Sequence, residues 1–132
     1  MSAESAVTAL LLAAAPVTAL VDTRVYPGML PEGIALPALV VEHISSVRLG
    51  RLDASAATHP VRTRMQINLL AKTYPQLKAL RDAATAALQY QRGTLGGSSV
   101  SSVLPDSEGP DTHDPAMGVF HQPIDFMVTH ET

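Results

Sequence analysis

The chain reads as a single α+β domain, with a largely antiparallel sheet of about four to five strands packed by an N-terminal helix and a central amphipathic helix. Two stretches carry that expectation. From Val61 to Ala71 the residues alternate with a period of two, Val61, Thr63, Met65, Ile67, Leu69 and Ala71 on one face against Arg62, Arg64, Gln66 and Asn68 on the other; this is the pattern of a half-buried strand. After Thr73-Tyr74-Pro75-Gln76 the pattern changes to a helical one, with Leu77, Leu80, Ala84, Ala87 and Leu88 on one face. A length of 132 residues and an apolar content of 46% support one folded core, and no internal repeat suggests a second unit.

The N-terminal helix is expected over 2–14. Ser2 can cap it, and Val7, Leu10, Leu11 and Ala14 fall at i, i+3, i+4 and i+7, one buried stripe. The run Ala9 to Ala15 resembles the apolar part of a secretory leader, but Met1-Ser2-Ala3-Glu4-Ser5 carries an acid and no cation, so that reading fails. Nor does the run reach the roughly 20 apolar residues of a membrane span. Pro16 ends or kinks the helix, and the apolar stretch 17–21 follows.

A short strand is expected at 24–26, then a Pro/Gly-punctuated loop from Pro27 to Gly33. Strand 38–47 is rich in β-branched residues. Leu39-Val40-Val41 reads as covered on both sides, and Glu42 to Ser46 as wetter. Paired with 61–71 it makes a long hairpin around a loop at 48–60. The central helix, 74–91, opens on a Thr73 cap with Gln76 at the capping-box position, and Gly93 and Gly96-Gly97 stop it. Strand 98–104 alternates weakly. Residues 105–115, with Asp106, Glu108, Asp111 and Asp114, read as an acidic loop. In the last strand, 117–128, Pro123 removes a backbone donor and predicts an edge, bulged or split strand.

Several chemistries find no footing. The balance of 9 Lys+Arg against 12 Asp+Glu gives a net charge of −3, contrary to a strongly basic nucleic-acid binder. Without cysteine there is no disulfide framework, thiolate metal site or Cys nucleophile. Gly96-Gly97-Ser98-Ser99 lacks the lysine and following helix of a phosphate loop, and no Gly-x-Ser-x-Gly elbow marks a serine nucleophile. The five histidines show no helical zinc-site spacing. Asp111-Thr112-His113-Asp114 is the best metal candidate and is read instead as a solvated acidic loop. No catalytic residue, cofactor or metal site is expected.

The succession of capped helix, Arg24-Val25-Tyr26-Pro27, Leu36-Pro37 leading into Leu39-Val40-Val41, Arg64 to Ala71 followed by Thr73-Tyr74 and its helix, and a closing Ile124-Asp125-Phe126-Met127-Val128 resembles the tail completion (tail terminator, or tail-to-head joining) proteins of long-tailed bacteriophages, prophages and gene transfer agents. Nearly the whole chain takes part. That resemblance implies a non-enzymatic virion protein, assembled in the host cytoplasm, that forms a homo-oligomeric ring, commonly a hexamer. The ring would sit on the head-proximal end of the tail tube, stop tube growth and present a surface to the neck connector, with DNA passing through its lumen without specific binding and no membrane involved.

Ring closure needs one surface of each subunit to meet a different surface of the next, and open sheet edges offer unpaired backbone groups for it. The 38–47/61–71 hairpin and the Pro123 strand are the edges expected to serve. Arg62, Arg64, Gln66 and Asn68 on the polar strand face, Arg48 and Arg51 in the first loop, and Asp106, Glu108, Asp111 and Asp114 in the second are the candidate contacts. The competing class is a small-ligand-binding or regulatory α+β domain, for which the residues nominate no pocket.

Overall fold

The structure is a computed structural model describing residues 2–50, 55 and 58–131. Its elements are α1 (Ala3–Ala13), α2 (Ala15–Val21), β1 (Val25–Pro27), β2 (Ala38–Arg48), β3 (Pro60–Ala71), α3 (Tyr74–Leu88), β4 (Gly93–Leu95), β5 (Ser98–Glu108), β6 (Thr112–Asp114) and β7 (Val119–Glu131). They form one α+β domain whose sheet has seven strands, in the order β1-β2-β3-β7-β5-β4, with β6 also paired to β7. Among the described residues only the β1–β2 pairing is parallel. The two strands not expected, β4 and β6, have three residues each, too short to show a period of two.

Local chemistry starts each helix. Ser2 accepts from the Ser5 N–H at 3.2 Å and Ser5 returns the favour to the Ser2 N–H, a reciprocal capping box. Pro16 does more than end α1: it stands in the first turn of α2, where its fixed φ suits a helix start and its missing N–H is no loss. The two helices are bent by 87° at this break, and among the described residues no single helix is long and apolar enough to cross a membrane. Thr73 caps α3 by accepting from the Gln76 N–H at 3.2 Å.

All three helices pack on one face of the sheet. Val7 and Leu11 of α1, Val17 and Val21 of α2, and Leu77, Leu80 and Leu88 of α3 are fully buried against Leu39, Met65, Ile67, Leu69, Ile124 and Phe126. Each such side chain contributes roughly 1.5–3 kcal/mol of burial free energy, so this layer is the main source of stability. Small residues allow the close fit. At Gly96 the backbone has φ +56°, and an added Cβ would collide with the Ser5 carbonyl of α1.

Two expectations are corrected. Residues 105–115 are not a free loop: β5 continues through Asp106 to Glu108, and β6 carries Asp114. Their acidity disguised them, because these strands expose their side chains and show no apolar alternation. Nor is the Pro123 strand an edge. β7 lies between β3 on one side and β5 and β6 on the other. Pro123 is tolerated in this interior strand because its neighbour changes there, from Glu108 of β5 opposite Ile124 to Thr112 of β6 opposite His121.

Candidate interaction surfaces

On the face away from the helices, the polar residues of β3 join those of its neighbours into two networks. In the first, Asp125 of β7 accepts from Arg64 Nε at 2.7 Å, from Arg64 Nη2, and from Gln66 Nε2 at 3.0 Å. Asp125 is nearly buried, whereas Arg64 is half-exposed and reaches Asp106 at 3.6 Å as well. The bond to Asp125, then its charge, hold the Arg64 pKa above its ordinary value. In the second network His121 Nε2 donates to Asn68 Oδ1 at 2.8 Å, and Asn68 Nδ2 donates to Glu42 Oε1 at 2.9 Å. The amide fixes the direction of both bonds. Burial lowers the His121 pKa, against a smaller opposing pull from Glu42.

A third cluster pins the β5–β6 connection to α3. Asp111 pairs with Lys78 Nζ at 2.7 Å and accepts from the Tyr74 hydroxyl at 2.7 Å. Lys78 also donates to Gln122 Oε1 at 3.0 Å, and Gln122 Nε2 to the Gly109 carbonyl at 3.1 Å. Hydrogen bonds from Lys78 and Tyr74 hold the Asp111 carboxyl below its ordinary pKa, and the bond to Asp111 raises that of Lys78. Of the neighbouring residues, His113 stacks on Phe120 with centroids 4.3 Å apart, and Asp114 accepts from the Ala116 N–H at 3.0 Å. Among the described residues no three His, Cys, Asp or Glu are grouped to hold a metal ion.

The candidate contacts thus separate. Arg64 and Gln66 converge on Asp125, with Asp106 beside Arg64; Asn68 is buried between Glu42 and His121; Asp111 belongs to the α3 clamp. Arg48 and Arg62 stay exposed at the far end of the β2–β3 hairpin, and Glu108, at the end of β5, lies 3.9 Å from Arg81 of α3. Arg51 lies outside the described residues. Sequence reasoning passed over Asp125, Lys78, Tyr74 and His121. Asp125 was within reach: alternation in β7 puts it on the face opposite Ile124 and Phe126, beside the arginine face of β3.

Sheet edges complete the surface. β1 covers β2 only as far as Val41, so from Glu42 to Arg48 the outer side of β2 is open among the described residues, with Ile44 and Val47 exposed. On the opposite side β4 covers β5 only as far as Val100. There the Val103 carbonyl accepts from the Tyr90 N–H at 2.7 Å and Pro105 has no donor to offer.

No curated protein matches the chain. Among solved structures it is similar to a chain of one titled "Virion of native gene transfer agent (GTA) particle", with a TM-score of 0.75 and 18% identity, covering 99% of this chain and 96% of that one, a likeness of fold. Residues 5–131, which take in most of α1, the whole sheet and both open edges, match the family described as Tail completion protein gp17, and the chain belongs to that family.

Proposed function

We propose that the chain is a non-enzymatic structural protein of the virion tail that closes into a ring, six copies being the number implied by its resemblance, on the head-proximal end of the tail tube. There it ends tube growth and offers its other face to the neck connector. The observation that carries the ring is the pair of unlike open edges on one sheet, β2 beyond Val41 and β5 beyond Val100. Unlike surfaces satisfy one another only head to tail, and a head-to-tail contact with the right rotation closes. Family membership supports placing that ring in a tail. A net charge of −3 suits a lumen through which DNA slides without sticking.

Light scattering and negative-stain imaging of the purified chain, alone and added to tail tubes, test the reading. Rings in solution or on tube ends are expected, and particles lacking the chain should carry tubes of irregular length unjoined to heads. A chain that stays monomeric on tubes, or normal joined tails in its absence, would overturn it.

A further inference from the structure

Resting on that ring reading, we infer that the helix-side cavity at the open end of β2 is a carboxylate socket, filled in the ring by Glu108 of a second copy. The cavity, about 360 Å³, lies between the start of α1 and the ends of β2, β3 and β7. It is lined chiefly by His43, Ser46, Arg48, Thr63 and His130, with Glu4 as its one carboxylate. A chain of hydrogen bonds runs along its wall: His43 Nε2 to Ser46 Oγ at 2.7 Å, Ser46 Oγ to Thr63 Oγ1 at 2.9 Å, and Thr63 Oγ1 to His130 Nε2 at 2.9 Å. That chain ends on an orphan. His130 is 5% exposed, yet among the described residues its buried Nδ1 has no partner, a rare and costly state for a polar atom. Among the described residues no carboxylate pairs with Arg48. At its mouth the socket thus offers an anion the Arg48 guanidinium, with the exposed His43 imidazole and Ser46 hydroxyl beside it.

The opposite edge supplies one. Beyond Val100 this open edge offers few backbone groups, since the Val103 carbonyl already accepts from Tyr90 and Pro105 has no N–H, so it meets a neighbour largely through side chains. Glu108 stands on the helix side, in register with buried Ile124, with its side chain half-exposed and, among the described residues, held only by the long contact to Arg81. Arg48 stands on the same side, in register with buried Val61. Pairing like edges would set Arg48 against Arg48 or Glu108 against Glu108, so the charges favour the head-to-tail union.

Geometry permits it. β2, β3, β7 and β5 alternate in direction, so a second copy rotated about an axis near the strands meets β2 with an antiparallel β5. Glu108 is level with Ile67 of β3, whereas the socket spans the rows of Val61 to Met65. The second copy must therefore be displaced by roughly 7–20 Å along the strands.

The absence of cysteine makes the test clean. Tails assembled from a mixture of Arg48→Cys and Glu108→Cys chains should give a disulfide-linked dimer on mild oxidation, and the double variant a ladder. Within one chain the two positions are about 14 Å apart across the sheet and about 20 Å apart along it, beyond disulfide reach. Arg48→Glu and Glu108→Arg should each lower ring yield about tenfold or more, and combining them should restore it, a reversal that damage to folding cannot produce. In the unmodified chain, amide exchange over 42–48 and 106–108 should slow about tenfold or more on assembly. Rings without mixed crosslinks and with unchanged exchange, or crosslinks from Arg48→Cys alone, would overturn the socket and leave the ring standing. Failure to form any ring would take both down.

Discussion

The Gly109 N–H donates to the Pro123 carbonyl at 2.8 Å, at the point where β5 gives way to β6 along β7. In an antiparallel pair the N–H and C=O of a residue face the same neighbour, so the donor Pro123 lacks would have pointed at this turn. The fit is tight: a Cβ added at Gly109 would stand 2.6 Å from Pro123 Cγ. Gly109→Ala must therefore push the turn off β7 and should destabilise the chain by about 1–3 kcal/mol, the range for overpacking. Thermal unfolding checks it, and an unchanged midpoint would show that the turn relaxes freely.

This junction also shows what the amino-acid sequence could and could not convey. The alternation of β3 and the helical period of α3 are local signals; β3 runs Pro60–Ala71, and α3 starts at Tyr74 as expected but ends at Leu88, three residues before the expected end, where Tyr90 turns left-handed at φ +61°. Pro123 is a local signal too, but its meaning depends on which strands flank β7, and pairing between residues far apart in sequence decides that. Asp106 to Asp114 looked like a loop because strands that expose their side chains carry no apolar period. Arg64 was legible as an exposed cation, whereas its partner Asp125, 61 residues further on, needed the register of β3 on β7.

Asn68 is buried and satisfied at both ends, donating to Glu42 and accepting from His121. Asn68→Ala leaves both partners short of a bond and should cost about 1–3 kcal/mol. Asn68→Asp should cost more, because it keeps the shape but sets a second carboxylate against Glu42. Denaturant midpoints of the two variants separate these effects; equal losses would mean that charge at this position is screened by solvent.

His121 gives the fold an acid-side weakness. Its folded pKa lies below the ordinary 6.5, so the unfolded chain binds the proton more readily. The sign follows: the stability tied to its neutral form is present above 6.5 and is lost as pH falls through the lower folded value. His121→Gln, which retains a donor for Asn68, should flatten the stability profile just below 6.5. A slope unchanged from the parent chain would remove His121 as its cause.

The clamp between α3 and the β5–β6 connection adds a second step at lower pH. Asp111 is depressed below 3.8 by Lys78 and Tyr74, so its contribution is present above 3.8 and lost as pH falls through its folded value. Asp111→Asn should abolish that step and leave neutral-pH stability little changed, since the pair is solvent-accessible. Chemical denaturation at pH 2 to 5 follows it, and the idea fails if parent and variant lose stability in parallel.

Arg62 and Arg64 lie two residues apart on the same face of one strand, and their substitution should have opposite consequences. Arg64 neutralises a nearly buried carboxylate, so Arg64→Leu strands Asp125 with only Gln66 as partner. An uncompensated buried charge is among the few large destabilising effects a single change can have, and the midpoint should fall markedly. Arg62 is exposed, and among the described residues no carboxylate pairs with it. Arg62→Leu should leave stability within about 0.5 kcal/mol of the parent, as for ordinary surface positions. If Arg62 serves the assembled ring, its loss should appear only in ring yield, whereas loss of Arg64 should appear already in the free chain. Measuring unfolding and assembly on both variants therefore sorts the arginines by role, and comparable unfolding midpoints would refute the distinction.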